Sequence, residues 1–428
     1  MTKLRITGAI LATAGVLVPA ALLYSSASSA VHPPVTAAST DSGCLRLPNC
    51  YTPRQFRTAY GIQPLLDHGT DGRGETVVLL EIVPPPPASP PGITDIRQDL
   101  ALFDSVFGLP VAHLRVVNSL ADATSPWLAA NEEVQDTEMA HVVAPDANLV
   151  EVLIPEAAIA SATSAVTAFT SAIRLGVSQG EIISISASLG EHFWTAAEVT
   201  AMHSVLLAAQ RRHVTVVAAS GDTGAASDAH FGAAPVKEVS LPASDPLVLG
   251  VGGTELTANQ TTGLYIGETV WNTGSSASGG GFSHLFSRPT YQNGTQGTED
   301  ARGVPDVAGD AASVGGMALV LSNGGQNYVI VATGGTSAAA PFWAGLIALA
   351  DQEARRSLGF VNPAIYRIAR GPSYHAAFHD ITTGNNTVDI PPVTITGYQA
   401  ASGWDPVTGW GTPDAQVLIP LLARYSGQ

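Results

Sequence analysis

Two cysteines, 19 basic side chains against 35 acidic ones, and only 13% charged residues are what 428 positions offer. Two thiols are too few for a cysteine-built metal centre. So little lysine and arginine and a net charge of −16 speak against a nucleic-acid partner, which would need a basic face. The sequence shows no internal repeat, and beyond residue 23 no apolar run is long enough to cross a membrane. What is present is a 45% hydrophobic complement, too rich for a disordered chain, with 43 glycines and 29 prolines that demand many loops. The length allows one large domain or two ordinary ones. An acidic chain loses self-repulsion as pH falls towards its isoelectric point near 4.9, which suits an acidic workplace.

The N-terminus carries an address. Lys3 and Arg5 precede an apolar run from Gly8 to Leu23, and a small-residue exit follows from Ser25 to Ala30. This pattern predicts a secretory signal over 1–30, cleaved after Ala30, with an uncleaved anchor as the alternative. Residues 31–50 are rich in Ser, Thr, Pro and Ala and read as a linker. Its cysteines, Cys44 and Cys50, suit a small local disulfide in an exported chain.

From Tyr51 the pattern is globular. Residues 76–83 (TVVLLEIV) form a continuous apolar strand broken by one carboxylate, Glu81. A proline-rich loop follows over 84–91. Helices are expected at 96–107, 131–143, 157–174 and 195–212, and strands at 148–154, 182–186, 214–219 and 247–251. Apolar strands alternating with helices predict one α/β domain over 51–428, a doubly wound and mainly parallel sheet with helices on both faces. Residues 255–327 read as surface loops, and the stretch after Pro363 as irregular until a closing helix at 416–425.

The stretch 328–349 organises the rest. Residues 328–331 read as a buried strand, Gly334-Gly335-Thr336-Ser337 as a tight turn, and 338–350 as a helix apolar nearly all round. Pro341 is placed in the first helical turn, where its missing N–H costs nothing. Ser337 then sits at the positive end of a buried helix, good placement for a nucleophile; a serine acting only as N-cap is the plainer alternative. A nucleophile needs a base. His68 precedes the first strand in a polar turn, and His141 reads as a packed core histidine. On the 131–143 helix, Glu132 and Asp136 stand four apart and share a face with Met139, Ala140 and Val143. Buried together, two carboxyls share a proton and can replace histidine as general base at acid pH. Glu133 falls on another face and reads as a solvated charge. Asp222, at the end of a buried strand, can cap a helix or, protonated, donate to an oxyanion.

These motifs, taken in order, resemble the sedolisin family of serine-carboxyl peptidases, from Tyr51-Thr52-Pro53 to Gly411-Thr412-Pro413. The resemblance implies a subtilisin-like fold, acid activity and calcium dependence. Gly334 to Pro341 matches the nucleophile motif, implying Ser337 as nucleophile. Glu132-Glu133-Val134-Gln135-Asp136 matches a Glu-x-x-x-Asp motif, implying Glu132 as base and Asp136 as its partner. Ser220-Gly221-Asp222 matches the segment of the oxyanion aspartate, and Glu81 an acidic position that extends the carboxylate network in some members. Gly279 to Ser283, Arg302 to Val307 and Leu241 to Ser244 match scaffold and cleft loops. The C-terminal segment implies one Ca²⁺, bound by the side chains of Asp380 and Asp405 and the carbonyls of Ile381, Ala401 and Gly403. Ala401 stands where glycine is usual, and residues 385–400 form a longer connection than is customary.

Two departures stand out. Only about twenty residues separate the signal from the catalytic start, counted from the cleavage signature, whereas family precursors carry a long propeptide. Ala187 stands where a Trp or Tyr is frequent. The expectation is a secreted, monomeric endopeptidase acting on protein or peptide substrates, without nucleic acid and without stable membrane association after signal removal. The alternatives are a tripeptidyl exopeptidase and an inactive, calcium-held binding protein.

Overall fold

Strands that are apolar on both faces must be covered on both faces, and the packing here follows from that. The structure, a computed structural model, describes residues 50–84, 95–119, 131–227, 233–295, 297, 300–312, 314–322, 328–332 and 334–426. The expected signal, Cys44 and most of the linker and proline-rich loop lie outside the described residues. Cys50 is buried and disulfide-bonded.

The parallel strands are β1 (Thr76–Val83), β2 (His113–Asn118), β3 (Asn148–Pro155), β4 (Ile182–Ile185), β5 (Thr215–Ala219), β6 (Leu249–Ala258) and, after the antiparallel β7 (Tyr265–Val270), β8 (Val307–Asp310). Among the described residues they form one eight-stranded sheet in the order β8-β6-β5-β4-β1-β3-β2, with β7 paired to the far half of β6. Crossover helices lie between them: α1 (Ile96–Phe107), α2 (Asn131–Val143), α3 (Ala162–Gly176) and α4 (Ala196–Arg211). One core joins α2, the long α5 (Thr336–Ala354) and the closing α6 (Ala415–Tyr425) to one sheet face; the other places α3 and α4 on the opposite face. No described helix is long and apolar enough to cross a membrane.

Helix α5 is the axle. Every residue from Ala338 to Asp351 is buried, and it packs on α2 and on β1, β4, β5, β6 and β8. Its sequence lacks a polar face because nothing around it is water.

Three sequence expectations are corrected. The Gly/Ser-rich stretch 255–327 is not only surface loop: it contains the buried parallel strand Val307–Asp310, whose residues are small (VAGD) and give no long apolar run. The stretch 328–331 is not a buried sheet strand. Tyr328–Ala332 forms an antiparallel hairpin with Ala318–Ser322, and its Tyr328, Ile330 and Val331 are only half-buried. After Pro363 the chain is helical over Asn362–Ala369 and Tyr374–Ala377 rather than irregular.

The Arg302–Asp306 turn shows how a scaffold motif works. Both residues are fully buried, and Arg302 donates Nη1 and Nη2 to the two Asp306 oxygens at 2.7 and 2.6 Å. Gly250 N, Asn362 Nδ2 and the Tyr366 hydroxyl also donate to Asp306. Replacing one partner strands the other charge. Arg302→Met should therefore cost about 3–5 kcal/mol of unfolding free energy, read from urea denaturation; a loss below about 1 kcal/mol, the worth of an exposed pair, would contradict this.

Candidate active site

The turn before α5 is built around one glycine. Gly335 has φ +78°, and a Cβ there would lie 2.5 Å from Asp222 Oδ2, so no other residue fits without moving that carboxylate. Asp222 Oδ1 accepts from the Thr336 amide and the Thr336 hydroxyl, both at 2.8 Å. It thus caps the start of α5 from a loop beyond β5. Gly334 N donates to Gln135 Oε1 at 2.9 Å, tying the same turn to α2.

Ser337 is the second residue of α5. Its hydroxyl donates to the Ser186 carbonyl at 3.2 Å, and the Ser186 hydroxyl donates back to the Ser337 carbonyl at 3.1 Å. Pro341 explains the second bond. The helix begins at Thr336, so Pro341 is inside it rather than in its first turn. Lacking an N–H, it leaves the Ser337 carbonyl without its i+4 donor, and Ser186, just past β4, takes that place.

The carboxyls converge on this point. Glu132 lies against the Ser337 hydroxyl, and burial pushes its carboxyl up to about 7, opposed by that hydrogen bond and reinforced by the Asp222 charge. Asp136 is completely buried; burial and the Glu132 charge hold its carboxyl well above the ordinary range, while hydrogen bonding to Ser186 and Glu81 pulls the other way. Glu81 is raised by burial, then by the charges of Asp136, Glu133 and Glu132. Neither Asp136 oxygen nor Glu81 Oε1 meets a donor at strict hydrogen-bond geometry, so a shared proton between these carboxyls is the available partner. The structure thus brings Ser337, Glu132, Asp136, Asp222 and Glu81 to one place.

Other acidic and basic candidates fall elsewhere. His68 is exposed, its Nδ1 on the Pro64 carbonyl at 2.6 Å. His141 is fully buried, paired with Asp104 at 2.9 Å. Glu133 corrects the sequence reading: it is 2% exposed, because α2 lies flat on the sheet and the face beside Glu132 and Asp136 is covered as well.

Comparison with known proteins then decides the lineage. No family model matches the chain. Kumamolisin of Bacillus sp. (strain MN-32) is 33% identical over 394 residues, 89% of this chain and 65% of that protein. Sedolisin of Pseudomonas sp. (strain 101) is 33% identical over 354 residues, 78% of this chain and 56% of that protein. A solved structure of Pseudomonas sedolisin, a serine-carboxyl proteinase complexed with two molecules of pseudo-iodotyrostatin, superposes with TM-score 0.73 at 27% identity, covering 89% of this chain and 99% of that one. The chain belongs to the sedolisin family. It spans less than two thirds of the length of these curated relatives.

In this sedolisin-family chain two of the five predicted calcium ligands, the side chains of Asp380 and Asp405, close on the same turn. Asp380 accepts from Gly403 N at 3.0 Å and from the Ser402 hydroxyl at 2.8 Å. Asp405 accepts from Ala401 N at 3.0 Å. Both aspartates therefore close on one turn, and neither has an ion-pair partner among the described residues. Asp405 is 2% exposed, and burial pushes its carboxyl up to about 6. Asp405 also accepts from Val407 N, Thr408 N and the Thr408 hydroxyl; two carboxylates without a cationic partner on one turn suit a hard cation. Gly403 has φ +79°, whereas Ala401 keeps an ordinary negative φ that an alanine adopts freely. The extra length of 385–400 goes into a hairpin, Val388–Ile390 against Val393–Ile395, closed by an Asn385–Gln399 bridge. No group of three or more His, Cys, Asp or Glu side chains suited to a metal occurs among the described residues.

Sequence reasoning assigned no role to Gln135, Thr336 or Glu151. Glu151 carried a signal: like Glu81, it is the lone acid in an apolar strand.

The raised carboxyls set a sign for stability. The native protein holds the Glu132 proton up to about 7, while an unfolded chain releases it near 4.5. Between those values the folded state binds more protons, so stability falls as pH rises. Urea unfolding of Ser337→Ala protein should give a higher midpoint at pH 4.5 than at pH 7; the reverse order would contradict the assignment of protons to this site.

Proposed function

We propose that the chain is a secreted serine-carboxyl endopeptidase acting on protein or peptide substrates at acid pH. The observation that carries this is the Ser337 hydroxyl against the Glu132 carboxyl, with the buried Asp136 directly behind it. Ser337 Oγ attacks the peptide carbonyl while the Glu132–Asp136 pair, which holds a single proton between its two carboxyls, takes the hydroxyl proton through Glu132. The tetrahedral oxyanion is held by the Ser337 amide, which has no intrahelical acceptor at its position, and by Asp222 in its acid form, whose Oδ1 is already fixed by Thr336. Glu132 returns the proton to the leaving amine, and water reverses the sequence on the acyl-enzyme. The acid requirement follows because this chemistry needs Asp222 and one of the paired carboxyls to keep their protons.

Digestion of casein across acid to neutral pH in the presence of pepstatin tests the reading. Cleavage that peaks at acid pH and falls at least about 10³-fold in both Ser337→Ala and Glu132→Gln is expected. Full acid activity in Ser337→Ala would overturn it. Peptides with a blocked N-terminus should be cut; a requirement for a free N-terminus would make the protein an exopeptidase.

Asp380 and Asp405, with the carbonyls of Ile381, Ala401 and Gly403, are the groups that would hold one Ca²⁺, which neutralises the two carboxylates and fixes the turn. Chelation should lower the melting temperature, by about 2–3 °C if about 2 kcal/mol is lost in a domain of this size. An unchanged melting temperature in chelator and in Asp380→Asn protein would remove the ion from the account.

A further inference from the structure

Behind the catalytic carboxyls lies a second pair that the reaction above does not use. The strand register sets it up: Glu81 on β1 is opposite Leu153, and Glu151 on β3 is opposite Leu79. Residues two apart on a strand share a face, so Glu81 and Glu151 project from the same side of the sheet, the side α2 covers. Glu151 is fully buried and Glu133 is 2% exposed. The two carboxyls are within hydrogen-bonding reach of each other. Glu151 Oε1 also accepts from the Thr137 hydroxyl at 2.7 Å, while its Oε2 meets no donor at strict geometry. Two carboxylates cannot stand in contact inside a protein without a proton between them.

We propose that Glu133 and Glu151 share one proton and act as positioning residues, the single negative charge they retain keeping the Glu81 proton in place so that Glu81 donates to Asp136. This rests on the reading of Ser337, Glu132 and Asp136 given above. The line of interaction then runs Glu133–Glu151, Glu81, Asp136, Glu132, Ser337, with hydrogen bonds joining Glu133 to Glu151, Glu81 to Asp136 and Glu132 to Ser337, and charge coupling the links between them. The charges acting on Glu81, Asp136 and Glu151 come from other carboxyls of the same group. The surrounding elements supply few further titratable groups. Beyond Ser337, Asp222 acts on Glu132. In β2, Val116 is opposite Glu151, and the neighbouring Arg115 projects from the other face towards Gln179. In β4, Ser184 is opposite Leu79. Further along α2, Glu138 is bonded to Val320 N and senses Asp99 and Asp104 on α1.

The test is the pH profile of kcat. Glu133→Gln/Glu151→Gln removes the retained charge, so the remaining carboxyls release protons more readily. The whole profile should move to lower pH by about one unit, the effect of a nearby unit charge in a partly screened interior. Glu151→Gln alone keeps the charge, because its amide can donate to the Glu133 carboxylate, and should move the profile less than half as far. A double variant that does not shift, or a single variant that shifts as far as the double, overturns the proposal. A second readout needs no turnover. In Ser337→Ala protein at pH 7, the infrared carbonyl stretch of buried protonated carboxyls should lose one acid's intensity on adding Glu151→Gln. An unchanged band overturns shared-proton pairing, including in the case where the double variant does not fold. Absence of Ser337-dependent cleavage in the unmodified protein would count against the active-site reading instead, and the infrared experiment would still decide the pair.

Discussion

Buried carboxyls pressed together must share protons, and the rest of the site depends on that constraint. Glu81, Glu132, Asp136, Glu133 and Glu151 cluster where α2 covers the adjacent strands β1 and β3. The charges that bear on Glu81, Asp136 and Glu151 are carboxyls of the same cluster. Fully ionised, such a cluster would be too costly to bury. Singly protonated pairs resolve the conflict, and they also produce a group beside Ser337 whose proton affinity lies near neutrality rather than in the ordinary carboxylate range. Packing and chemistry are therefore the same fact: the burial that makes α2 and α5 a stable pair is what makes Glu132 basic.

The backbone around Ser337 follows a similar economy. One glycine lets the chain turn under Asp222, and Asp222 caps the helix that presents the serine. One proline inside that helix frees the Ser337 carbonyl for Ser186. Gln135 ties the turn to the carboxyl-bearing helix. Ser337, Glu132 and Asp222, the proposed nucleophile, base and oxyanion aspartate, are thus positioned relative to each other by direct bonds rather than by a shared distant scaffold, so a shift in any one element is felt by the others.

Much of this could be read from the chain itself, and the exceptions have physical reasons. Long apolar runs such as 76–83 and the fully apolar α5 announced a covered parallel sheet, and the four-residue spacing of Glu132 and Asp136 announced a common face. Val307–Asp310 escaped because VAGD is too small and too short to show a period, though neighbours bury it. Glu133 was misjudged because helical periodicity assumes one dry face, whereas α2 is buried almost all round from its third residue onward. The Ser186–Ser337 exchange depends on where α5 begins, and a boundary error of two residues hid what Pro341 does. The segment proposed to hold calcium came to notice only through a resemblance, since two aspartates and some carbonyls form no distinctive pattern.

The central claim is that the coupled Glu132–Asp136 pair beside Ser337 keeps one of its protons until near neutrality. Carbon-13 NMR titration of the Glu132 side-chain carboxyl, assigned by the signal lost in Glu132→Gln, measures this directly. The account predicts a midpoint near 7. A midpoint near 4.5, the ordinary glutamate value, would contradict it.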